Sequence, residues 1–255
     1  RNCAFVGNSA GGGGGAILAQ GSLTVANSTF ENNVAGYGGA IGSSGPVSIG
    51  NSRFTGNSAT ARGGGAVSAN GSLNVVGSTF DRNSAQGSGG ALFLSRWALS
   101  HNIVGTRFLR NLAWQGGGAV YNDGGAARIE NSLFVDNRSN RGGAVLSYGS
   151  LDIRNATFSA NSVTERGGAL YLSSPTVDIL FSTFFLDVAW EEGDEIFNAS
   201  SSTSARIKNS IVAGGGGVGN CVGTITSHGG NYSTDSTCSG FIVASVEELG
   251  LAPLA

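Results

Sequence analysis

Short runs in which apolar and polar residues alternate recur along this chain, each ending a few residues before a phenylalanine. Leu23-Thr24-Val25, Val47-Ser48-Ile49, Leu73-Asn74-Val75, Leu151-Asp152-Ile153 and Val177-Asp178-Ile179 put apolar side chains two residues apart. That spacing predicts strands, and no window sustains a helical period. The phenylalanines open a Phe-x-x-Asn tetrad at Phe5, Phe30, Phe54, Phe80, Phe108, Phe134 and Phe158, with Phe184 to Asp187 as an altered copy. Between them falls a Gly-Gly-Ala-aliphatic tetrad, at Ala16-Ile17, Ala40-Ile41, Ala66-Val67, Ala91-Leu92, Ala119-Val120, Ala144-Val145 and Ala169-Leu170. It ends in the degenerate Gly193-Asp194-Glu195-Ile196.

Successive Phe-x-x-Asn tetrads lie 24 to 28 residues apart, and a fixed period in this range means a solenoid whose repeats bury their apolar faces against their neighbours. One period accommodates about three short strands and three turns, one coil of a parallel β-helix. The predicted fold is therefore all-β, a right-handed parallel β-helix of about nine coils and roughly 40 Å, the hand following from that of parallel crossovers. Stacked coils align equivalent residues, so the phenylalanines form one internal aromatic stack. Asn33, Asn57, Asn83, Asn111, Asn137 and Asn161 form a corner ladder of amides, and Asn27, Asn51, Asn131, Asn155 and Asn209 a second, less regular one. The sequons at Asn27 and Asn155 are accordingly expected to be buried. The double glycine serves a positive-φ corner or a close approach to the next coil. Residues 1–212 read as repeats, and 213–255 as a Gly-rich, disulfide-linked segment that ends the helix.

Composition narrows the function classes. Charged residues make up 12% and the net charge is −2, with no basic footprint for nucleic acid. No apolar run is long enough to span a bilayer, and no signal peptide is present at Arg1. The chain lacks methionine and opens in mid-repeat, which reads as a piece of a longer protein. Cys221 and Cys238 bracket a Gly/Ser/Thr-rich stretch and are expected to form a disulfide, as in an oxidising compartment. Zinc held by Cys221, His228 and Cys238 is the weaker alternative, lacking ligand spacing. Cys3 replaces a repeat serine and is left as the odd cysteine.

The pairing of GGA-[ILV] with FxxN resembles the repeat signature of the chlamydial polymorphic outer-membrane proteins, also common in large bacterial surface proteins with parallel β-helix repeats. Asn209-Ser210-Ile211-Val212-Ala213, Asn220-Cys221, Gly229-Gly230-Asn231-Tyr232, Cys238 and Leu249 to Leu254 are similar to the end of the bacterial choice-of-anchor Q surface domain. The resemblance implies an exported β-helix serving as adhesin, stalk or surface-layer component, extracellular or on the cell surface, with no catalytic residues to carry over. It does not extend to an outer-membrane barrel.

Pectate lyases and polygalacturonases also use right-handed β-helices, so fold alone does not exclude an enzyme. The best catalytic candidates are Arg128, Asp152 and Asp178 on successive coils, flanked by Glu130 and Arg154. The simpler reading is an alternating-charge patch with Arg128 beside Asp152 and Glu130 beside Arg154. The residue after the inward aliphatic gives an outward column containing Phe93, Tyr121, Leu146 and Tyr171, a stripe for sugar rings or a partner protein. Trp114 and Trp190 share one position in the repeat and are expected to cover a corner. His101 aligns with inward leucines, but Leu99 is expected to take that core place. The expected function is a non-catalytic structural or adhesive element, self-associating into filaments or meeting other surface proteins, with no cofactor or metal. A polysaccharide lyase or hydrolase, or a carbohydrate-binding stalk, is the alternative.

Overall fold

A computed structural model of the chain describes residues 1–254. No helix occurs among them, and the strands stack in parallel as a β-solenoid of four sheets with eleven, eight, nine and nine strands. One coil comprises Val67–Ala69, Leu73–Val76, Thr79–Asp81 and Ser84–Ala85, so four walls replace the three strands expected. The extra wall is the shortest. Its strand follows each ladder asparagine and turns in one residue, Ala35, Ala59, Ala85 and Ala113 on four coils and Ser139 and Val163 on the next two, each nearly inaccessible. Four of its eight strands have only two residues, too few for a visible alternation. The eight-stranded wall completes eight four-sided coils; beyond it Ile211–Ala213, Cys221–Val222, Ile225–Ser227 and Tyr232–Ser233 continue the other three walls.

Register is one repeat per coil, with Phe30, Phe54, Phe80 and Phe108 directly opposite one another on successive strands. Adjacent rings from Phe5 to Phe184 stack with centroids 4.6–5.2 Å apart and planes within 11°. From Phe30 onward they are inaccessible to solvent. The coil rise of about 4.8 Å sets that spacing, which is also one at which offset aromatic rings attract. Opposite them the alanine and aliphatic columns fill the remaining interior.

Three corners per coil use left-handed backbone. The two glycines divide the work: Gly64 has φ +74°, whereas a Cβ on Gly65 would strike the carbonyl oxygen of Gly90 in the next coil. A second corner holds Asn27, Asn51, Asn131, Asn155 and Asn209, all with φ between 47° and 52°. These asparagines are not buried, so they form no internal second ladder, and the Asn27 and Asn155 sequons lie at the surface. Asparagine tolerates this conformation better than other side chains, and glycine takes the same place at Gly77 and Gly105. The buried second ladder is one residue further on and made of hydroxyls: the Ser28 amide donates to Ser52 Oγ, and that of Ser52 to Ser78 Oγ, each at 3.1 Å.

His101 also departs from expectation. Its ring is buried and pairs in register with Ala127, while Leu99 is 93% exposed. Imidazole wins because its Nδ1 accepts the Leu73 amide and its Nε2 lies 3.3 Å from the Ser95 carbonyl. Leucine would leave both groups unpaired in a dry interior.

Candidate functional site

The asparagines Asn33 to Asn161 form a continuous internal column. In each, the backbone N–H and side-chain Nδ2 both donate to Oδ1 of the residue one coil on, as from Asn83 to Asn111 at 3.0 Å. The same Nδ2 donates to the phenylalanine carbonyl of the preceding coil, from Asn83 to Phe54 at 3.1 Å. Each rung therefore ties three coils together, and all six are inaccessible to solvent.

The ladder ends in acid. Asp187 occupies the next rung and accepts both donors of Asn161 through Oδ1, at 2.6 and 2.7 Å. The following coil has Gly215 at the corresponding place, so Glu195, standing where earlier coils have alanine, reaches across and accepts the Asp187 N–H at 3.2 Å. Asp187 Oδ2 and Glu195 Oε2 have no partner in this dry interior. Burial raises Asp187 to about 6, against the lowering effect of the hydrogen bonds it accepts from Asn161. Burial, then the charge of Asp187, pushes Glu195 well above the usual carboxylate range. Asp194 beside them is satisfied by the amides of Ala189, Gly216 and Val218. One coil further, Asn220 repeats the device from the same wall, accepting the Gly214 N–H and donating to the Val212 carbonyl. Sequence reading marked both tetrads as degenerate and missed that their polar replacements meet.

Outside, the candidate catalytic column is aligned as expected, with Arg128, Asp152, Asp178 and Arg206 in register. The ion pairs run differently. Arg128 holds Glu130 and Arg154 holds Asp152 within single strands, at 2.8 and 2.9 Å. Arg206 grips Asp178 from the next coil with two hydrogen bonds. Residues two apart on a strand share a face, so the partner on the same strand competes with the cross-coil one and here wins. A denser cluster lies on the phenylalanine wall, where nearly inaccessible Asp81 is met by Arg53, Arg82 and Arg110.

The outward aromatic column is not a continuous exposed stripe. Leu146 is buried, and it divides the column into a Phe93–Tyr121 stack and a Tyr171–Phe197 stack, both with centroids 5.2 Å apart. Tyr148 packs edge-on against Tyr121, while Arg141 and Arg166 lie over Tyr171 and Phe197. Burial and the charge of Asp123 push Tyr121 up to about 12. Where the column shrinks to Gly42 and Ser68, a cleft of about 480 Å³ opens between Tyr37 and Phe93. The tryptophans do not cover a corner: Trp114 is 63% and Trp190 75% exposed, because no outer layer packs on the short-strand wall. Cys221 and Cys238 form a disulfide, and no group of three metal-ligating side chains occurs among the described residues. His228 is exposed, as is Cys3, whose thiol is free.

A parallel β-solenoid built on stacked phenylalanine and asparagine columns is the class this architecture defines. The family model described as the Chlamydia polymorphic membrane protein (Chlamydia_PMP) repeat matches residues 2–20, 27–44 and 77–95. Those three segments are similar to the polymorphic membrane protein repeat, and in this chain they fold as parallel β-solenoid coils. No curated protein and no solved structure matches it.

Proposed function

We propose that this chain is a β-helical shaft of an exported bacterial surface protein, structural or adhesive and without catalysis. The observation that carries the reading is the match of its repeats to those of polymorphic membrane proteins, on residues that build the phenylalanine and asparagine columns. The outer face agrees: the aligned carboxylates Asp152 and Asp178 are each engaged by an arginine, which favours surface ion pairs over a free general base. The disulfide fits an oxidising compartment.

Surface placement is tested on intact cells of the source organism. Antibody against this chain should label them, and external protease should remove the signal while sparing a cytoplasmic marker. Labelling only after lysis would refute it. Purified protein incubated with pectin, alginate, chondroitin and xylan, with and without calcium, should release neither unsaturated products nor new reducing ends. Activity lost in Asp152→Asn or Asp178→Asn would make the chain a polysaccharide lyase or hydrolase instead.

A further inference from the structure

Trp114 and Trp190 occupy the two ends of one groove on the short-strand wall, about 410 Å³ in volume. The register of that wall, Leu112 with Arg138, Ser139 with Val163 and Val163 with Ala189, puts Trp114, Asn140, Thr164 and Trp190 in one column on successive coils. Three coil steps at ~4.8 Å separate the indoles by roughly 14 Å along the axis. The floor between them is polar and uncharged, with Thr164 Oγ1 donating to Asn140 Oδ1 at 3.2 Å and both residues exposed. Arg138, the one charged residue lining the groove, is held by Asp136 at 2.9 Å. Large exposed indoles are unusual on a soluble surface and mark contact sites.

We propose that this groove binds a neutral polysaccharide running along the helix axis, with pyranose rings stacked on Trp114 and Trp190 and hydroxyls bonded to Asn140 and Thr164. An indole offers a flat apolar face with a polar N–H at its edge, matching a sugar ring whose C–H bonds lie on its faces and whose hydroxyls lie around its rim. The volume falls within the range of ligand pockets. A sugar ring is about as long as a coil is high, so a linear chain keeps step with the column. Absence of unpaired charge in the groove selects a neutral glycan over a uronate or sulfated one. The proposal deepens the surface reading by giving its adhesive face a ligand class.

The test titrates the folded chain with cello-, xylo-, manno- and chito-hexasaccharides and, as the charged comparison, hexagalacturonate, by calorimetry and tryptophan fluorescence. At least one neutral hexasaccharide should bind. Trp114→Ala and Trp190→Ala should each weaken it tenfold or more, while Trp97→Ala, which removes an exposed indole outside the groove, should change it less than twofold. Asn140→Ala keeps both rings and should weaken binding severalfold, so the outcome does not hang on the tryptophan variants folding. The proposal is overturned by no binding of any neutral hexasaccharide at millimolar concentration, by preference for hexagalacturonate, or by binding indifferent to both tryptophans. Surface labelling of intact cells with no glycan binding would sink this inference and leave the surface reading standing.

Discussion

Replacing Asp187 by asparagine should stabilise the protein at neutral pH, although the site is inaccessible and every atom of it is packed. The amide restores the rung found at the six preceding coils, keeps Oδ1 as acceptor for Asn161, and supplies an Nδ2 where Asp187 Oδ2 now has no partner. The magnitude follows from linkage. The Asp187 carboxyl rises from 3.8 to about 6 through burial, and two pKa units correspond to about 3 kcal/mol. A raised acid favours the folded state while protonated. Its contribution is therefore complete below about pH 4 and is lost as pH climbs through about 6. Asp187→Asn should accordingly gain about 3 kcal/mol at pH 7 and under 1 kcal/mol at pH 4. Because solenoid coils open locally, native-state hydrogen exchange suits the measurement, read at amides of Thr183–Phe185 and Ile196–Asn198. A gain of equal size at both pH values, or a loss at pH 7, would refute the shared burial of two acids as its cause.

Phe108→Ala deletes a ring stacked on both sides and should cost ~3 to 5 kcal/mol in chemical denaturation; under ~1 kcal/mol would mean the column is not core. Asn111→Leu strips partners from Asn83 and the Phe80 carbonyl and should cost more than ~3 kcal/mol, against under ~0.5 for exposed Asn70→Leu. Similar losses at the two sites would show that the stacked amides add nothing special. His101 is lowered by burial, so its neutral form supports the fold above its unfolded pKa and that support fades as pH falls. His101→Leu should flatten the stability curve below about pH 6.5, and an unchanged acid limb would show that the imidazole is not held neutral.

Period, parallel stacking, the phenylalanine stack and the asparagine column were legible because each repeats the same residue at the same place on every coil. What stayed hidden was of two kinds. The fourth wall and the hydroxyl ladder use Ala, Ser and Thr, residues too common to stand out against a Gly/Ser-rich background. Asn27 and its equivalents misled because asparagine serves both as an amide partner and as a residue tolerant of positive φ, and only the backbone distinguishes them. The Asp187–Glu195 meeting was hidden for another reason: it joins opposite walls of one coil, and no repeat spacing encodes that distance. Trp114 and Trp190 share a repeat position in the sequence, but their exposure depends on what the neighbouring coils fail to place over them.

The amide ladder has a direction. Every rung from Asn33 on sends its backbone N–H and one Nδ2 bond to Oδ1 of the C-terminal rung and offers its own Oδ1 to the N-terminal one, so that run of bonds points one way along the axis, while a further Nδ2 bond reaches back to a phenylalanine carbonyl. Within the ladder itself the rungs from Asn33 to Asn137 are interchangeable, each making the same bonds to its neighbours. Asp187 differs from them: it receives from Asn161, and its side chain hands nothing on. A carboxylate at the receiving end of such a row acts as a full stop for the ladder, and the other three walls run on past it without that column.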